Sequence, residues 1–250
     1  VGLGEPKILF LDIEMSPNVA YTWRIFQNYI TPDQIVEPAR PICWAAKWKG
    51  EKSVYFRSIF HDGREEMIRD AWTMLDGADI VVHFNGTSFD LPWLNGEFFL
   101  AGITPPSPYK QIDLLVAARK QFNFPSLKLG YLAEQLGLEG KIKHDGLKLW
   151  HDCLQGDSKA WKKMEAYNKR DVTLLEELYD LIRPWVPSHP SFAAFTGEHV
   201  CPACGGSDLK RRGYAYTQVS KFIQYHCETC GKWSRATHRE TGADIASVTL

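Results

Sequence analysis

Residues 7–14 read Lys-Ile-Leu-Phe-Leu-Asp-Ile-Glu, a short and almost unbroken apolar run. A run without the polar face of a half-exposed strand predicts a central strand covered on both sides. Ser16-Pro17-Asn18 ends it. Residues 41–48 and 52–57, separated by Gly50-Glu51, predict two more strands and, with the first, a three-strand meander. Between residues 63 and 76, Met67, Ile68, Ala71, Trp72 and Leu75 recur at helical spacing. A strand at 79–84 follows Gly77, and Asn85-Gly86 predicts a tight turn after it. A helix around 88–101 carries Phe89, Leu91, Trp93, Leu94 and Phe98, with Pro92 tolerated only in its first turn.

Ile112 to Val116 predicts a short strand running into a helix, and a further helix, Leu127 to Leu136, begins at Ser126 and closes at Gly137. The segment 138–157 mixes Gly, Lys and His and is expected to be irregular. Asp157-Ser158 caps a long helix reaching about Ile182. Pro184, Pro187 and Pro190 then forbid its continuation and predict a stiff linker. The order of elements implies a mixed α/β domain over residues 5–186, a Pro-containing linker at 187–199, a small cysteine-based module at 200–239 and a loose tail at 240–250.

The length of 250 residues suits one medium domain plus a small one, and 44% hydrophobic content supports a real core. The net charge of −1 hides an asymmetry. Residues 201–239 hold seven Lys and Arg against two acids, a balance of +5, which leaves −6 for the rest. No apolar run approaches the ~20 residues that span a membrane, and no charged-then-apolar signal pattern opens the chain. With four of the six cysteines paired as Cys-x-x-Cys, metal binding in a reducing, cytoplasmic setting is expected. Cys43 and Cys153 are left as ordinary thiols.

Four carboxylates sit where a core has no use for them. Asp12 and Glu14 interrupt the first apolar run, and strand alternation points both to one face. Asp90 follows the strand at 79–84 and its turn. In the long helix Trp161, Met164, Tyr167, Asp171, Leu174, Leu178 and Ile182 share one face, while Lys169, Arg170, Glu176 and Glu177 supply the solvent side. Burying an unpaired carboxylate costs several kcal/mol. Four converging make sense around divalent cations, which points to two-metal phosphoryl transfer and hence a nuclease. Hard oxygen ligands favour Mg²⁺ or Mn²⁺. Asp113, a fifth acid on a predicted strand, reads as structural.

Leu11-Asp12-Ile13-Glu14, the segment Asn85 to Asp90, and Tyr167-Asn168-Lys169-Arg170-Asp171 resemble the three motifs of the DEDD (DnaQ-like) 3′–5′ exonucleases. The resemblance covers residues 7–183. It is closest to the tyrosine-containing branch, DEDDy, seen in proofreading domains of family B DNA polymerases and in stand-alone bacterial and phage relatives. The sister branch carries a histidine five residues before the last aspartate, and that position here is Ala166. The resemblance implies a ribonuclease H-like fold, a mixed sheet flanked by helices. It also implies hydrolysis at nucleic-acid 3′ ends, with single-stranded DNA ahead of RNA, and a place in replication or repair. By the same resemblance Asp12 bridges two Mg²⁺ or Mn²⁺ ions. Glu14 and Asp171 hold the ion carrying the attacking water, Asp90 serves the other ion, and Tyr167 orients the water. Asn85 and Phe89 are candidates to shape the terminal-nucleotide pocket. Lys128, Lys141, Lys143 and His144 are candidates to reach phosphates.

Cys201-x-x-Cys204 and Cys227-x-x-Cys230 stand 22 residues apart, a two-knuckle spacing for one structural Zn²⁺. Gly205-Gly206 and Gly231 follow the pairs, where the chain must turn around the metal. The module resembles a zinc ribbon. Between the pairs Lys210, Arg211, Arg212 and Lys221 interleave with Tyr214, Tyr216, Phe222 and Tyr225, a mixture suited to single-stranded nucleic acid. Protein docking or a purely structural role are its alternatives. For the whole chain, the alternatives are a structure-selective endonuclease and a catalytically degenerate nucleic-acid-binding protein.

Overall fold

A computed structural model describes residues 4–26 and 29–242. The chain forms two compact units, one of residues 7–179 and one that includes the chain from Asp180 onward. Each is described by itself.

In the first unit β1 (Ile8–Met15) is the middle strand of a five-stranded mixed sheet. A short arm with β2 (Val19–Ala20) and β3 (Ile35–Glu37) intervenes before β4 (Pro41–Trp48) and β5 (Tyr55–Ser58) complete the expected antiparallel meander. Helix α1 (Arg64–Asp76) returns the chain to β6 (Ile80–His83), and α2 (Asp90–Leu100) connects β6 to β7 (Lys110–Asp113). The strands β6 and β7 run parallel to β1, giving the order β5-β4-β1-β6-β7. Parallel neighbours need crossover connections, and the helices supply them. The sequence then forms α3 (Leu114–Gln121), α4 (Leu129–Gln135), α5 (Leu147–Leu154) and the long α6 (Ser158–Ile182).

Alternation along β1 organises both layers. Leu9, Leu11 and Ile13 pack with Met67, Ile68, Ala71 and Leu75 of α1 and with Leu91, Leu94 and Phe98 of α2. The even positions face α6: Phe10 meets Tyr179 edge-on, with ring centroids 5.5 Å apart. The continuous apolar run thus reflects two covered faces, and the acids at 12 and 14 extend the α6-facing row.

Two expectations are corrected. The segment 138–157 contains α5, whose Leu149 and Cys153 are buried and whose Cys153 carbonyl accepts the Trp161 indole N–H at 2.8 Å. Gly140, Gly146 and Gly156 mask its short helical period in the sequence. The span 187–199 is not a free spacer. It contains α7 (Phe192–Thr196), and buried Phe192 donates its N–H to the Pro202 carbonyl at 3.0 Å.

The second unit also holds β8 (Leu209–Tyr216), β9 (Ser220–Cys227), β10 (Trp233–Arg235) and β11 (Thr241–Gly242), with β9 pairing all three others. The start of the expected loose tail is therefore an edge strand. Its remainder, 243–250, lies outside the described residues.

Candidate active site

β6 pairs with β1 only through Ile8, Leu9 and Phe10, so β1 runs on past its neighbour. The backbone N–H of Ile13 is left on this open edge, and Asp90 Oδ1 accepts it at 3.0 Å. Asp90 is buried and opens α2, where the helix dipole favours a carboxylate. On the other face, Asp12 and Glu14 meet Asp171 of α6, and one carboxylate oxygen from each lies within 4.8 Å of the others. Asp90 stands beside this trio rather than in it. The resemblance set Asp90 apart as the acid of the other ion, and here one of its oxygens is engaged by backbone.

The cluster is electrostatically strained. Burial, then Asp90, Glu14 and Asp171, push the Asp12 carboxyl well above the usual range. Burial and Asp171 push Glu14 up to about 8, and burial pushes Asp90 up to about 6. Asp171 is raised by burial despite Lys141, whose ammonium sits 2.5 Å from its Oδ2. Asp171 Oδ1 is buried without a hydrogen-bond partner. Carboxylates so crowded have an unmet need for positive charge beyond Lys141. A divalent cation held by these acids would meet it and would favour their ionised form. The donor set is all oxygen, which fits Mg²⁺ or Mn²⁺.

The third-motif segment contributes more than Tyr167 and Asp171. Asn168 is fully buried, and its Nδ2 donates to Asp12 Oδ2 at 2.6 Å. In the sequence Asn168 appeared only as a member of the third motif, three residues before Asp171, with no role of its own. Lys141 Nζ also lies 3.5 Å from the Tyr167 hydroxyl. Burial and the neighbouring acids keep that hydroxyl protonated, raised above an ordinary tyrosine. His144 and Trp150 wall the Tyr167 ring edge-on at 4.9 and 6.2 Å.

The turn that delivers Asp90 is built around Asp113. Its carboxylate accepts the N–H groups of Asn85, Thr87, Leu115 and Val116 at 3.0–3.3 Å, capping α3 while holding the β6 turn. That consumes its oxygens in structure. Asn85 adopts φ +71°, and a Cβ on Gly86 would lie 2.5 Å from His83 Cγ. Buried His83 takes the Gly86 N–H on Nδ1 at 3.1 Å. Asn85 and Phe89 are exposed on this turn, and Lys128 caps α4 with an exposed side chain.

In the second unit the four thiols of Cys201, Cys204, Cys227 and Cys230 cluster within 4.8 Å, unbonded to one another. Cys201–Cys230 and Cys204–Cys227 Sγ separations are both 3.7 Å. Ligands ~2.3 Å from a tetrahedral zinc stand about 3.7–3.8 Å apart, so the cage fits that ion. The knuckles are built alike. Gly205 and Gly231, at φ +73° and +78°, return their N–H groups to the carbonyls of Cys201 and Cys227. Burial raises the Cys227 thiol, but the N–H groups of Cys230 and Thr229 outweigh it and bring it down to about 7, whereas burial pushes Cys201, Cys204 and Cys230 up to about 11.

The basic and aromatic candidates divide between the two faces of this sheet. A bulge between Arg211 and Tyr214 puts Arg211 and Tyr214 on the face of Tyr225 and Ile223, where Arg211 donates to the Tyr214 hydroxyl at 2.8 Å. Lys210 lies opposite His226 and Trp233 on the other face. Arg212 lies within the bulge, and Tyr216, paired with Lys221, is exposed.

Residues 43–183 match the RNase H superfamily. The chain belongs to the RNase H superfamily. The matched span includes Asp90, Tyr167 and Asp171 and begins after β1. Among solved structures this RNase H-like chain is similar to a family B DNA polymerase from the hyperthermophilic archaeon Pyrobaculum calidifontis, with 15% identity and a TM-score of 0.53. The match covers 86% of this chain and 32% of the polymerase chain, a likeness of fold. A comparison with curated proteins gives no match. The superfamily's fold is a nuclease fold, and no described helix is long and apolar enough to cross a membrane.

Proposed function

We propose that this protein is a metal-dependent 3′–5′ exonuclease of the tyrosine-containing DEDD branch, acting on single-stranded nucleic acid and on DNA in particular. The observation that carries the reading is the convergence of Asp12, Glu14 and Asp171 within 4.8 Å, with Tyr167 one turn from Asp171. The fold likeness to a family B polymerase chain is in keeping with a nuclease, and the branch rests on Tyr167 and Ala166 in the sequence.

In this reading Asp12, Glu14 and Asp171 would hold the catalytic Mg²⁺ or Mn²⁺ ions, and Asp90 would serve the second ion directly or through water. Bound cations make water nucleophilic at neutral pH and stabilise the leaving oxygen. The chain's own residues do the rest. Asn168 fixes the Asp12 carboxylate by a 2.6 Å hydrogen bond. The protonated Tyr167 hydroxyl orients the attacking water as a hydrogen-bond partner. Lys141, paired with Asp171 and about one-third exposed, is placed to offer its ammonium to a substrate phosphate. Phe89 and Asn85 border the terminal nucleotide.

One zinc ion in the four-cysteine cage is structural. Lys210, Arg211, Arg212, Tyr214 and Tyr216 contact the strand, Lys210 from the opposite face to Arg211 and Tyr214. Replication or repair complexes are the partners this reading implies. The test is a single-stranded DNA and an RNA of one sequence, each labelled at the 5′ end, incubated with Mg²⁺ or Mn²⁺. A ladder shortening stepwise from the 3′ end supports the reading. Discrete internal cuts would replace it with an endonuclease.

A further inference from the structure

The arm between β1 and β4 carries a group of side chains that the site chemistry does not use. Tyr21 is 79% exposed, Trp23 93%, and Ile25 and Phe26 both 94%. Leaving a large apolar side chain in water forfeits roughly 1.5–3 kcal/mol relative to burying it, and contiguous exposed groups of this kind mark interaction surfaces.

The described legs of the arm, residues 16–26 and 29–40, are tied to each other. The Ser16 N–H donates to the Arg40 carbonyl and the Arg40 N–H donates to Ser16 Oγ, both at 2.9 Å, and Asn18 Oδ1 accepts the Ala39 N–H at 2.7 Å. Further out, Tyr21 and Gln34 are tied through Tyr21 N–H to the Gln34 carbonyl and Gln34 Nε2 to the Tyr21 carbonyl, both at 2.9 Å. Thr31 and Gln34 add a reciprocal cap.

Its roots place it beside the acids. The first leg leaves β1 just after Glu14, and the second enters β4 at Pro41, the register partner of Met15. Glu97 grips the Arg40 guanidinium at 2.8 and 2.7 Å from α2, the helix that Asp90 opens. Phe89 and Trp93, 41% and 38% exposed at the start of α2, add aromatic surface near the arm's root.

We propose that this arm is a base-stacking platform that holds the single strand feeding the acidic site, with Trp23 and Phe26 as its main contacts. The proposal rests on the nuclease reading above. The arm is electrically neutral, with Arg24 and Arg40 balanced by Asp33 and Glu37. It cannot hold a strand by neutralising phosphates, and the acids at its foot repel them. Stacking on aromatic faces needs no such charge and tolerates any sequence.

The test compares wild type, a Trp23→Ala/Phe26→Ala double variant and a conservative Trp23→Phe/Phe26→Tyr variant. The substrates are the p-nitrophenyl ester of thymidine 5′-monophosphate, which reaches only the acidic site, and a 20-nucleotide oligothymidylate. The double variant is expected to raise KM for the oligonucleotide at least about 30-fold, the lower end for two lost stacking contacts. Its kcat and its rate on the ester stay within about twofold, and the conservative variant recovers most of the loss. Anisotropy of labelled oligonucleotide with Mg²⁺ and Mn²⁺ omitted and no chelator added, which needs no catalysis and leaves the zinc in place, is expected to show the same loss of affinity even if wild type cleaves neither substrate and the nuclease reading falls. Unchanged oligonucleotide binding in the double variant overturns the proposal. So does sedimentation showing a wild-type dimer that the double variant dissolves.

Discussion

Replacing Asn168 by Ala isolates one link between fold and chemistry. The amide is fully buried on α6, and its Nδ2 holds Asp12 Oδ2 at 2.6 Å, with the Asp12 carbonyl a further 3.4 Å contact. A hydrogen bond to a charged group contributes about 1.5–3 kcal/mol, or roughly 10- to 150-fold in an equilibrium constant. Partners that orient metal ligands typically contribute ~10- to 100-fold in metal affinity. Calorimetric titration of Mn²⁺ into wild type and Asn168→Ala should therefore show weaker binding by tenfold or more. The metal-free protein should lose little stability, about 1–2 kcal/mol, because Asn168 Oδ1 is buried without a partner and its removal relieves a cost. At saturating Mn²⁺ most activity should return. Mn²⁺ affinity within twofold of wild type would refute the claim that Asn168 organises Asp12 for a metal.

Further outcomes follow from the same geometry. Glu14 is raised from 4.5 to about 8 and Asp90 from 3.8 to about 6, so between these limits the native state binds more protons than the unfolded chain. Metal-free stability should be fullest below pH ~4 and fall as pH rises toward 8, and millimolar Mg²⁺ or Mn²⁺ should reverse the fall, as melting midpoints across pH will show. Gly86→Ala forces a Cβ to within 2.5 Å of the His83 ring and should destabilise the protein by about 1–3 kcal/mol in denaturant titration, with loss of activity through the displaced Asp90 turn. Elemental analysis should find one zinc per chain, and Cys227→Ala should abolish it and expose the backbone amides of the Cys201–Gly242 region to hydrogen exchange.

The sequence was legible where physics forces a pattern. The run at 7–14 could be apolar on both sides only if both faces of β1 were covered, and α1, α2 and α6 cover them. Helix α6 showed its buried stripe and caps plainly. Other features had no comparable signal. Asn168 has ordinary helical character until Asp12, 156 residues away, comes within reach. Lys141 sits in a glycine-flanked loop, and its pairing with Asp171 exists only in three dimensions. The distinction between Asp90 and the other acids depends on where β6 stops pairing with β1. In the ribbon, a single bulge sets which basic residues share a face, so an interleaved sequence could not separate Lys210 from Arg211. The arm at 16–40 hides its exposure in a composition that elsewhere means core.

The central claim is that the acids on β1 and α6 form the catalytic centre. Asp12→Ala and Asp171→Ala, each shown folded by circular dichroism and by an unchanged zinc content, should lose at least about 10³-fold in the rate of 3′-nucleotide release from single-stranded DNA with Mn²⁺. Near-wild-type release by either folded variant would contradict the account.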